Sequence, residues 1–163
     1  MTHRRTLRAT LALSLVAALA LAALADAAEV TRDSYREAVE PICQANTKAN
    51  ERILAGARSE VRTGKLKPAA AQFAKAAAAL KRTLGELTAV PQPSADGAKL
   101  AEWLAYGATE ARLFEAVATN LRTGKKGPAE HMVTRLSQTA NRANTVVLPF
   151  EFHYCRFEPS RFT

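Results

Sequence analysis

The chain has 163 residues, 48% hydrophobic and 23% charged, with 23 Lys and Arg against 15 Asp and Glu and a formal net charge of +8. That length holds one ordinary domain, and the balance of apolar and charged residues excludes a disordered chain. Two cysteines are too few for a disulfide scaffold that replaces a hydrophobic core.

Arg4, Arg5 and Arg8 precede an uncharged, mostly apolar run over positions 9–25, which closes on Ala23, Ala25 and Ala27. A charged start, a greasy centre and an A-x-A ending make a secretory signal peptide over 1–27, cleaved near Ala25 to Ala27, with a single helical domain over 28–163. The apolar run is shorter than the roughly 20 residues of a transmembrane helix, which favours cleavage over a retained anchor. Arg4 and Arg5 match the pair of a twin-arginine signal, but Arg8 stands where a second apolar residue is usual, which favours general secretion. Cleavage removes Arg4, Arg5, Arg8 and Asp26 and leaves the mature chain basic. The expected location is secreted, periplasmic or at the cell envelope. The anions to be met there are anionic lipid, cell-wall polymer or acidic protein, and not nucleic acid. In an oxidising compartment Cys43 and Cys155, the only cysteines, are expected to pair, tying the C-terminal tail to helix 1.

Four stretches place apolar or small residues alternately four and three positions apart, the seam of a helix packed on helices. They are Tyr35, Val39, Ile42, Asn46, Ala49, Ile53; then Leu66, Ala70, Phe73, Ala77, Leu80, Leu84, Leu87; then Leu100, Leu104, Gly107, Ala111, Phe114, Ala118, Leu121; and last Ala129, Val133, Leu136, Ala140, Ala143, Val147. Thr31 or Asp33 is available to cap the first helix, and Ser94 or Asp96 the third, after the break at Pro91-Gln92-Pro93. The other two connections are near copies, Val61-Arg62-Thr63-Gly64-Lys65-Leu66-Lys67-Pro68 and Leu121-Arg122-Thr123-Gly124-Lys125-Lys126-Gly127-Pro128. In each, Gly suits a left-handed helix terminus and Pro the start of the next helix. Short connections make neighbours antiparallel, so the predicted fold is all-α: an up-down-up-down four-helix bundle with both Arg-Thr-Gly-Lys loops at one pole.

Tyr35, the run Val39-Glu40-Pro41-Ile42-Cys43-Gln44-Ala45-Asn46, Leu87 to Pro93, Trp103-Leu104 and the final Cys155 together resemble a loose group of small exported helical proteins of actinobacteria. The resemblance implies export, a helical bundle and the Cys43 to Cys155 pairing. It implies no site.

There is no C-x-x-C-H for covalent haem and no Glu followed three residues later by His for a di-iron site. His131 and Met132 are adjacent on one helix and face different ways, and His153 lies beyond that helix. No G-x-S-x-G elbow or phosphate loop is present. No catalytic residue, metal or cofactor is therefore expected, and the chain reads as a non-enzyme.

Three features remain as candidate contacts. The first is the basic pole, with Arg62, Lys65, Lys67, Arg122, Lys125 and Lys126, joined by Arg58, against Glu60 and Glu130. The second is an interior amide layer of Asn46 and Asn50 on the first helix with Asn141 and Asn144 on the fourth, expected to pair across helices and fix their register. The third is the tail, which from Phe150 onward holds half of the aromatic residues and reads as an extended strip over the bundle end. The expected function is a binding or structural module at the cell envelope with its basic pole toward anionic surfaces. The alternative is a small-ligand or cofactor carrier using the interior near Asn46, Phe73, Trp103 and Phe114.

Overall fold

The structure, a computed structural model, describes residues 29–158. The predicted signal peptide, its cleavage point and Phe162 lie outside the described residues. All regular structure among the described residues is helical: α1 (Arg32–Ile53), a short α2 (Ala57–Arg62), α3 (Leu66–Thr88), α4 (Gly97–Arg122) and α5 (Lys126–Val146). Single 3₁₀ turns at Ser94–Asp96 and Leu148–Phe150 complete it.

Local chemistry accounts for the boundaries. Thr31 caps α1: its hydroxyl accepts from the Ser34 amide while the Ser34 hydroxyl accepts from the Thr31 amide, so two orphan donors are satisfied reciprocally. After the first seam, which ends at Ile53, the chain turns, reverses its backbone at Gly56 (φ 84°) and forms α2, a helix that none of the four seams includes, before the first Arg-Thr-Gly-Lys loop. Leu54 and Ala57 are buried on either side of this turn, and the Gln72 amide donates to the Ala55 carbonyl, which pins the kink to α3.

The two loops end their helices identically. Gly64 and Gly124 adopt φ of 78° and 76°. The Lys65 amide donates to Glu60 O at 2.8 Å and Gly64 N to Val61 O at 3.3 Å; Lys125 N donates to Asn120 O at 2.8 Å and Gly124 N to Leu121 O at 3.1 Å. These are two Schellman caps, which need a residue free of a Cβ penalty at the left-handed position.

Before α4 the expectation holds only in part. Asp96 occupies the N-cap position but makes no capping bond, because its carboxylate takes Arg32 through both oxygens, at 2.7 and 2.8 Å. This buried carboxylate ties the start of α1 to the start of α4. The guanidinium holds the Asp96 carboxyl below its ordinary value, first through the hydrogen bond and then through charge, against the opposing effect of desolvation.

The core falls into two clusters. One gathers Leu54 and Ala57 with Ala69, Ala70, Phe73, Ala76, Ala77 and Leu80 of α3, Ala111 to Leu121 of α4, and Ala129 and Leu136 of α5. Alanine on the α3 seam supplies both helix propensity and close approach. The other gathers Tyr35, Val39 and Cys43 with Leu87, Leu100, Trp103, Ala143, Val147, Phe150, Phe152 and Cys155. Helix α3 packs on α4, α4 on α5 and α1 on α3. At Gly107 a Cβ would meet Leu84 Cδ2 at 2.7 Å and Phe157 Cζ at 3.2 Å, so the absence of a side chain lets α4, α3 and the tail converge there.

The tail does not cap the end of the molecule as an extended strip. It passes through a 3₁₀ turn, takes a left-handed conformation at Glu151 (φ 53°) and runs back between α1 and α5. Glu40 of α1 receives the amides of His153 and Tyr154 at 2.5 and 2.8 Å, and Asn144 of α5 both donates to and accepts from the Phe157 backbone at 2.8 Å. The disulfide Cys43–Cys155 closes a separation of 112 residues between them. Inside, Phe150 stacks on Phe152 at 5.3 Å, Phe152 meets Trp103 at 5.4 Å, and Phe157 stacks on Trp103 at 6.0 Å.

Candidate functional site

Away from the disulfide, the surface around Phe73, Val117 and Leu121 is open. There α2 and α5 flank a groove of about 440 Å³. Phe73 of α3 and Val117 and Leu121 of α4 form its floor; Ala57 and Val61 line one wall, Ala129 and Val133 the other. Arg58, Arg62, Lys126 and Glu130 also line it. The volume lies within the roughly 300–1,000 Å³ of small-molecule pockets, and the combination of an apolar floor with a few charged groups is the usual composition of such sites.

Sequence position explains the rim. Arg58 and Arg62 are four residues apart on α2, so they share one helix face. Lys126 and Glu130 are likewise four apart on α5, and their charged atoms are 3.9 Å apart. Three cations thus border the groove against one carboxylate, which is already engaged by Lys126. Of the six basic positions singled out in the sequence, Arg62 and Lys126 line the groove; Lys65, Lys67, Arg122 and Lys125 are exposed in or beside the loops and do not. His131 is exposed on α5.

The amide layer does not assemble across helices. Asn50 is buried and donates to Asn46 Oδ1 at 3.3 Å within α1. Asn144 spends both ends of its amide on Phe157, and Asn141 faces solvent. Asn144 is thus engaged by the tail, which also bonds to α1 through Glu40.

Asn46 and Asn50 instead border a small cavity of about 50 Å³ with Thr83, Glu110, Phe114 and the tail residues Tyr154 to Glu158. Glu110 is 3% exposed, its Oε1 has no hydrogen-bond partner among the described residues, and burial pushes its carboxyl up to about 9. It is therefore a neutral acid at pH 7. Sequence reading missed Glu110, although it lies four residues before Phe114 and seven before Val117, on the stripe that faces the core. The expected ligand space around Asn46, Phe73, Trp103 and Phe114 is likewise divided. Phe73 belongs to the groove, Asn46 and Phe114 to the small cavity, and Trp103 to the aromatic cluster.

Among the described residues no group of three or more His, Cys, Asp or Glu side chains converges as a metal site would require, and no helix is long and apolar enough to cross a membrane. Comparison with protein-family models, with curated proteins and with solved structures finds no match for this chain.

Proposed function

We propose that this chain is an exported, non-enzymatic helical module that attaches to anionic surfaces of the cell envelope through its basic pole. In this reading the four long helices alternate up and down, which brings the two Arg-Thr-Gly-Lys loops side by side. The alternation is supported by how the core is shared: Tyr35, Leu87, Leu100 and Val147 meet in one cluster, and Leu54, Ala69, Leu121 and Ala129 in the other. Export is supported by the signal-like N-terminus and is compatible with the closed disulfide, which persists in oxidising compartments. The resemblance to small exported helical proteins points the same way.

The observation that carries the functional reading is the groove bordered by Arg58 and Arg62 on one side and Lys126 on the other, because it draws cations from both loop regions to one face. Such a surface concentrates anions at low salt and loses them as the Debye length shrinks. The test is sedimentation of the protein with phosphatidylglycerol vesicles, phosphatidylcholine vesicles and purified cell wall at low and high salt. Retention on anionic surfaces only, weakened by salt and by combined Lys65→Ser, Lys67→Ser, Arg122→Ser and Lys125→Ser replacement, is expected. Equal, negligible retention on anionic and neutral surfaces would overturn it.

A further inference from the structure

We infer that the groove between α2 and α5 is a binding site for one long-chain fatty acid, with the acyl chain on the apolar floor and the carboxylate at the basic rim. The inference rests on the basic-pole reading and names the ligand class that the same face admits.

Three observations carry it. The first is the lining: Phe73, Val117, Leu121, Ala129 and Val133 form an apolar trough continuous with the main core cluster. Burial of apolar surface there is favourable at roughly 25 cal/mol per Å². The second is size. A methylene occupies about as much space as a water molecule, roughly 30 Å³, so a groove of about 440 Å³ takes one long chain. The third is charge complementarity. Arg58 and Arg62 present two guanidiniums from one helix face and Lys126 a third cation from the facing wall, while the rim carboxylate Glu130 is paired with Lys126. A carboxylate accepts two parallel bonds from a guanidinium, and a charge-assisted bond of this kind is about twice as strong as a neutral one. A neutral amphiphile would gain the floor and forgo the rim; a small anion would gain the rim and forgo the floor.

Among the described residues no other segment occupies the site. In the other half of the molecule the corresponding opening between α1 and α5 is filled by Phe150, Phe152 and Phe157 of the tail. The fold thus has one long seam, closed over half its length by its own aromatic side chains and presenting an apolar trough over the rest.

The experiment is displacement of anilinonaphthalene sulfonate by palmitate from the purified protein with its disulfide closed. Hexadecanol, octanoate and inorganic phosphate serve as comparison ligands. Palmitate is expected to displace the probe at least roughly tenfold more effectively than hexadecanol or octanoate, and phosphate not at all. Val133→Trp, which fills the trough from a half-buried position, is expected to weaken palmitate by about tenfold or more. Arg58→Glu with Arg62→Glu, both exposed, is expected to weaken palmitate and to erase its advantage over hexadecanol. Circular dichroism confirms that each variant is folded. No displacement by palmitate while anionic vesicles still bind would overturn the fatty-acid site and leave the surface reading standing; loss of vesicle binding alone would do the reverse. Concentration-dependent dimerisation abolished by Val133→Trp would assign the trough to a second copy of the chain and overturn the inference.

Discussion

Two carboxylates with opposite surroundings set the pH behaviour. Glu110 is held neutral by desolvation, with its carboxyl raised from 4.5 to about 9. Between those values the folded state holds a proton that the unfolded state has released, so stability contributed by this group is complete below about pH 4.5 and is lost as pH rises toward 9. At pH 7 the loss is on the order of 3 kcal/mol. Asp96 has the opposite sign. Paired with Arg32, its carboxyl lies below the ordinary 3.8, and its contribution is present above that value and is lost as pH falls through the lowered one. Thermal melts across pH should therefore show greatest stability in mildly acidic solution. Glu110→Gln should flatten the alkaline side of that profile and raise the melting temperature at pH 8. An unchanged alkaline slope in the variant would mean that another group is responsible. Glu110 was readable in principle as a charged residue on an apolar stripe. That its Oε1 has no partner among the described residues was not, because that depends on which side chains from α1, α3 and the tail surround it.

At the level of elements, the four long helices and their starts were legible because each carries its own signal: a seam at helical spacing, a Thr cap, a Gly terminus, a Pro near the next start. The paired loops are the clearest case, since their sequences repeat and so do their hydrogen bonds. Gly64→Ala and Gly124→Ala should each cost about 1 kcal/mol in denaturant melts, because a Cβ at φ near 77° is strained although both positions have open space around them. By contrast, α2 was not legible: the sequence from Leu54 to Glu60 has no seam of its own, and Gly56 acts as a break only because Leu54 and Ala57 both find burial against α3 and α4. The tail misled in a different way. Alternating aromatics read as a strip over an end, whereas the backbone turns at Glu151 and is captured by Glu40 and Asn144, which lie on two different helices.

At the scale of the whole molecule, the disulfide, the tail and the groove form one system. Removing the Cys43–Cys155 bond as a paired alanine variant should cost up to roughly 4 to 5 kcal/mol for a loop of 112 residues. It should also expose the tail to limited proteolysis before the helices, as protection assays at native conditions would read. The sequence by itself determined the class of fold, the pairing of its two cysteines, the two glycine-capped loops and the clustering of positive charge near them, because each of these depends on local spacing, local caps or residue counts. Only the tertiary structure decided which helices meet, that the amide layer does not assemble across helices, that Glu110 is buried beside Asn50, and that Arg58, Arg62 and Lys126 border an apolar trough. Those features arise where segments distant in sequence approach or fail to approach, and a gap between two helices leaves no pattern in either one.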